Sequence, residues 1–151
     1  MLKQTASLLY GLPKSSLAPL QKLQNRAARI LTYTRKYDHI TPVLKSLHWL
    51  PVEQRVTFKL LLLTFKALHD LAPSYLSELL TWHEPTAYRL RSGQRRILFK
   101  PSYRLKTFGF RRFEYAGPHL WNSFPDTLRH ETNLDRFKRG LKTHLFGEAF
   151  D

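Results

Sequence analysis

Nine cations stand between Pro85 and Phe113 with no Asp or Glu among them: Arg89, Arg91, Arg95, Arg96, Lys100, Arg104, Lys106, Arg111 and Arg112. Like charges at this density repel one another unless they spread into solvent or meet a polyanion, and phosphate is the natural complement. Phe99, Tyr103, Phe108 and Phe110 are interleaved with them. Such rings can stack on bases or cover a core, and burial is the commoner fate, so the core is expected to take them. A second basic group, Arg26, Arg29, Arg35 and Lys36, lies earlier in the chain and can meet phosphate or water. The whole sequence shares the bias: 25 Lys and Arg oppose 11 Asp and Glu in 151 residues, a net charge of +14. The pI is near 10.4. The expected partner is RNA or DNA, held without sequence specificity; a solvated face, or an acidic protein partner, is the plainer alternative.

Other chemistries find no constellation. The seven His residues, His39, His48, His69, His83, His119, His130 and His144, form no His-Glu-x-x-His array, and no Cys is present to complete a zinc site or act as a nucleophile. His48, beside Trp49, reads as a packing or hydrogen-bonding residue at a helix end. Asp38, Asp70, Asp126 and Asp135 stand singly, so no acidic pair is placed to hold two Mg²⁺ ions. No phosphate-cradling Gly-rich loop or nucleophile elbow occurs, and Gly109 and Gly117 read as turn residues. No catalytic residue, metal or cofactor is expected.

The elements that must position the cations come next. Ser15 and Ser16 read as helix caps with Pro19 in the first turn, followed by Leu17, Leu20, Leu23, Ala27, Ile30 and Leu31 at helical spacing. The opposite face carries Lys22, Gln24, Asn25, Arg26 and Arg29 and runs out through Arg35 and Lys36. Thr41 and Pro42 predict an N-cap and first position of a short helix, which Leu50 and Pro51 break. From Val52 to Leu68 a helix apolar around much of its girth is predicted to be the centre of the core. Pro73 and Ser74 predict another short helix through Leu80. Helical periodicity then lapses among Pro85, Gly93, Pro101, Gly109, Gly117 and Pro118. Ile97 to Lys100, Arg104 to Thr107 and Phe110 to Tyr115 are short, β-compatible runs. Leu120 to Phe124 and Thr127 to His130 suit short helical turns, and Asn133 reads as the cap of a last helix with Lys138, Arg139 and Lys142 on its polar face.

The expectation is one domain, residues 1–151, mainly α with a small β element: a helical part over 15–80, a basic loop/β part over 85–118 containing a short hairpin-like segment around 94–115, and a C-terminal helix over 133–146. The first residues lack the apolar stretch of a secretory signal, and the longest apolar run, Leu60 to Leu63, is far short of the roughly 18 residues of a membrane span. An intracellular location, nucleus or cytoplasm, is expected, with no membrane partner.

Ordered strings over Ser7 to Phe146 give the sequence a likeness. Ser7-Leu-Leu-Tyr-Gly-Leu-Pro13, Leu20-Gln-Lys-Leu-Gln-Asn-Arg-Ala-Ala-Arg29, His39-Ile-Thr-Pro-Val-Leu-Lys-Ser-Leu-His-Trp-Leu-Pro-Val52, Ala72-Pro-Ser-Tyr-Leu76, Pro118-His-Leu-Trp-Asn-Ser-Phe-Pro125 and Phe137-Lys-Arg-Gly-Leu-Lys-Thr-His-Leu-Phe146, with Phe58-Lys59 and Phe65-Lys-Ala-Leu68, resemble the C-terminal region of non-LTR (LINE-type) retrotransposon reverse transcriptases. Met1 to Ala6, Gly93 and Phe113-Glu114 depart from that pattern. In the family, the endonuclease and the polymerase palm with its catalytic Asp set lie upstream of the matched region. The resemblance therefore implies a chain without polymerase activity, a fragmentary or retained module beginning in or after the thumb. Its implied partners are RNA or DNA, or the upstream polymerase region if another chain supplies it; a rival implication is a helical module that buttresses the thumb, with an apolar patch near Met1 to Leu12.

Overall fold

The computed structural model describes residues 9–83, 96–102, 109 and 111–151. Seven helices lie among them: α1 Lys14–Thr32, α2 Ile40–Ser46, α3 Val52–Leu68, α4 Ser74–Ser77, α5 Phe113–Ser123, α6 Asp126–Arg129 and α7 Leu134–Phe150. The fold is mainly α, as the periodicity implies. α3 is its axis, with α1, α4, α5 and α7 packed around it. Leu61 and Phe65 enter one cluster with Leu98, Trp121, Phe137, Leu141 and Leu145. Leu60 and Ala67 enter a second with Leu76, Leu80, Phe113 and Ala116. A helix that feeds two clusters must be apolar on two sides, which is why Val52 to Leu68 carries so wide an arc. Within the first cluster rings meet across helices, Phe65 stacked on Phe137 at 4.2 Å and Trp121 tilted against Phe137 at 6.0 Å between centroids.

Two helix starts differ from expectation. Pro13 occupies the N-cap of α1, so Ser15 and Ser16 lie inside the first turn and Pro19 lies within the helix. His39 precedes α2, placing Thr41 and Pro42 inside it. In both, the residue before the helix is extended and supplies no side-chain cap. α3 has a substitute from a distance: its first amide, Val52 N–H, donates to Gln21 Oε1 at 2.9 Å. Gln24 then donates from Nε2 to the Leu50 carbonyl at 2.8 Å. Gln24 is therefore buried against the α2–α3 connection rather than on the polar face assigned to it. α1 ends at Thr32, where Tyr33 turns left-handed at φ 52°, so Arg35 and Lys36 lie beyond the helix. α7 fits its reading: Asn133 Oδ1 accepts from the Asp135 and Arg136 amides.

The largest correction concerns the stretch read as β. Phe110 to Tyr115 is not a third strand, because Phe113 opens α5. Gly117 and Pro118, read as breakers, sit inside that helix. Gly117 has a packing reason: a Cβ there would lie 2.9 Å from Thr64 Oγ1 of α3, so the two helices approach through it. Among the described residues the β element reduces to one antiparallel bridge between Trp82 and Leu98. The run Arg104 to Thr107 lies outside the described residues, as do residues 1–8 of the apolar patch expected near the start of the chain.

Candidate nucleic-acid interface

The segment 96–100 is fixed along both edges. On one side His83 N–H donates to the Ile97 carbonyl and Phe99 N–H to the Thr81 carbonyl, each at 2.9 Å. On the other, α5 acts where a second strand would. Asn122 accepts the Leu98 amide on Oδ1 and donates from Nδ2 to the Leu98 carbonyl, both at 2.8 Å, while Trp121 Nε1 donates to the Arg96 carbonyl at 2.9 Å. A carboxamide matches a peptide's donor and acceptor pair, so one Asn can complete the ladder of one residue. The Leu98 side chain is buried in the core, and the residues around it are turned out: Arg96, Phe99 and Lys100 are exposed. Phe99 is 51% exposed, which corrects its expected place in the core.

α5 continues the surface. Arg112, just before it, and Tyr115, His119 and Asn122 recur at steps of three, four and three and so share one side of the helix. Tyr115 and His119 stack with ring centroids 5.6 Å apart. Burial lowers the pKa of His119, and the neighbouring Lys100 ammonium lowers it further. Arg112 pairs with Glu114 at 2.9 Å, whereas neither Arg96 nor Lys100 forms a salt bridge among the described residues. Arg111 is half-buried.

The earlier basic group divides by role. Arg29 is an internal staple: Nη1 and Nη2 donate to the Asp38 carbonyl at 3.1 and 3.0 Å, and Nη1 reaches the Arg35 carbonyl at 3.3 Å. This closes the turn after α1 and leaves Arg26, Arg35 and Lys36 exposed, with Lys36 lying 5.7 Å over the Tyr37 ring. α1 is held by α2 and α3, and segment 96–100 by α5, so different neighbours of α3 position the two groups. Arg89, Arg91, Arg95, Arg104 and Lys106, with Tyr103, Phe108 and Phe110, lie outside the described residues.

Sequence reasoning missed the positioning pair Trp121 and Asn122. The signal in the chain was their polar atoms in a largely apolar helix, since nothing local in sequence names a partner 24 residues away. No group of three His, Cys, Asp or Glu placed to share a metal occurs among the described residues. No helix among them is long and apolar enough to cross a membrane. No protein-family model, curated protein or solved structure matches the chain.

Proposed function

We propose that this chain is a non-catalytic module derived from the C-terminal region of a LINE-type reverse transcriptase, and that it binds RNA or DNA through its basic surface. The observation that supports this reading is the segment 96–100, whose backbone is held by hydrogen bonds while Arg96, Phe99 and Lys100 are each exposed. Exposed cations on a fixed backbone, with an open ring between them in sequence, suit a phosphate backbone and a stacked base. The ordered strings from Ser7 to Phe146 support the origin.

Fluorescence anisotropy with single-stranded RNA and duplex DNA over a range of salt tests the proposal. Log affinity is expected to fall linearly with log salt, and R96E/K100E to weaken all sequences alike and to reduce the slope on single strands, by about 0.7 for each phosphate no longer neutralised. Phe99→Ala is expected to cost about 1–3 kcal/mol on single strands and much less on duplex, where bases are already stacked. A phosphate beside Lys100 favours the imidazolium, so the His119 pKa followed by NMR rises when RNA is added. Binding indifferent to salt and to R96E/K100E would overturn the proposal.

A further inference from the structure

α1 carries more apolar surface than its own core uses. Its buried line is Leu17, Gln24 and Ala28. Leu20, Leu23, Ala27 and Ile30 lie along a parallel line, displaced by one residue or about 100° around the helix. Leu23 and Ile30, in its middle and at its end, are 65% and 74% exposed, and Leu31 beside them is 60% exposed. Single exposed leucines are ordinary, but a line from Leu20 to Ile30 on one helix, about 15 Å long, is not.

The spacing of this line is informative. Steps of three, four and three place Leu20 and Ala27 at a positions and Leu23 and Ile30 at d positions of two heptads, the repeat with which one helix packs along another. Beside it the surface is concave: Leu20, Leu23 and Ala27 of α1, with Trp49 and with Val52 and Val56 of α3, line a groove of about 520 Å³. Arg55 and Lys59 of α3 line it too. α1 itself carries Lys14, Lys22, Arg26 and Arg29 and no acid. The one acid of α3, Glu53, lines a different cavity with Lys14 and Lys22.

We infer that this seam and groove receive an acidic amphipathic helix from a partner protein. Its apolar a and d side chains lie on Leu20, Leu23, Ala27 and Ile30, and its flanking carboxylates meet Arg26, Arg55 and Lys59. A second copy of this chain is the wrong occupant, because two α1 helices would bring together cations with no counter-charge and two bodies of net charge +14.

A synthetic three-heptad peptide with Leu at a and d and Glu at e and g is the probe, titrated against the whole chain by anisotropy. Saturable one-to-one binding is expected, at least tenfold tighter than for a peptide of the same composition in scrambled order. L23S/I30S, which alters only exposed side chains, is expected to weaken it at least tenfold with unchanged circular dichroism. R26E/K59E keeps the seam and inverts its rim, so it is expected to shift preference toward the same peptide with Lys at e and g. Equal binding of ordered and scrambled peptides, or indifference to L23S/I30S, would show a charge effect without a seam and overturn the inference. A free protein that sediments as a dimer, reduced to monomer by L23S/I30S, would assign the seam to a second copy and overturn it equally.

Discussion

Among the described residues, Arg129 alone has buried side-chain nitrogens without a hydrogen-bond partner. It is 7% exposed, its Nη2 meets Asp126 Oδ1 at 3.1 Å, and its Nε and Nη1 have no hydrogen-bond partner among the described residues. Taking a guanidinium out of water costs several kcal/mol, and one half-exposed carboxylate returns only part of this. Arg129→Met, which keeps the buried length and removes the charge, is therefore expected to leave stability unchanged or raise it by about 1 kcal/mol in urea unfolding. Asp126→Asn removes the partner and strands the cation, at an expected cost of about 1–3 kcal/mol. A clear loss in Arg129→Met would show that the guanidinium does more for the fold than its contacts explain. By contrast, Gln21, Gln24 and Asn122 each use both the oxygen and the nitrogen of the carboxamide, on backbone or on another carboxamide; the two glutamines fix the α2–α3 connection and Asn122 the segment 96–100.

Among the elements, α5 departs furthest from its sequence pattern. Phe113 to Tyr115 is rich in rings, and Gly117 and Pro118 follow closely, so local propensity argues for a strand and then a turn. The helix forms because its burial outweighs these preferences: Phe113, Ala116 and Trp121 all enter the core. Gly117 contributes through what it lacks. Thr64 is fully buried and its hydroxyl donates to the Leu60 carbonyl at 3.0 Å, so it cannot yield to a methyl placed 2.9 Å away. Gly117→Ala, though it favours helix intrinsically, is expected to cost about 1–3 kcal/mol in thermal or urea unfolding through overpacking. Thr64→Ala should relieve much of that cost in the double variant, a coupling that a double-mutant cycle measures. α3 and α7 were legible for the opposite reason: apolar periodicity sustained over 17 residues in one, and a capping Asn133 shortly before the buried Phe137 in the other, agree with their tertiary surroundings. The start of α1 was misplaced because two serines look like caps, while the chain instead enters from the extended Pro13.

At the scale of the molecule, the sequence exposed the mainly α class and the central place of Val52 to Leu68, since burial on two sides leaves an unmistakable pattern. It exposed the cations but not their footing. Charge reads directly from composition, whereas the pairing of Asn122 with Leu98 and of Trp121 with Arg96 spans 24 and 25 residues and follows no period. It also showed the apolar residues of α1 at helical spacing, and only the packing of Leu17, Gln24 and Ala28 shows that Leu23 and Ile30 are turned outward. The side-chain clamp on Leu98 has a kinetic meaning. A basic loop is ordinarily among the first parts of a protein to open, by small excursions that leave the rest intact. Here the Leu98 amide is released only when Asn122 withdraws, and Asn122 neighbours Trp121, whose ring lies in the main core. Hydrogen exchange at Leu98 should accordingly be as slow as at the core of α5 and should respond equally to urea, as one cooperative unit. Exchange at Leu98 much faster than in α5 would show that the loop opens alone. On that expectation the segment that carries Arg96, Phe99 and Lys100 has the lifetime of the folded core rather than that of a loop.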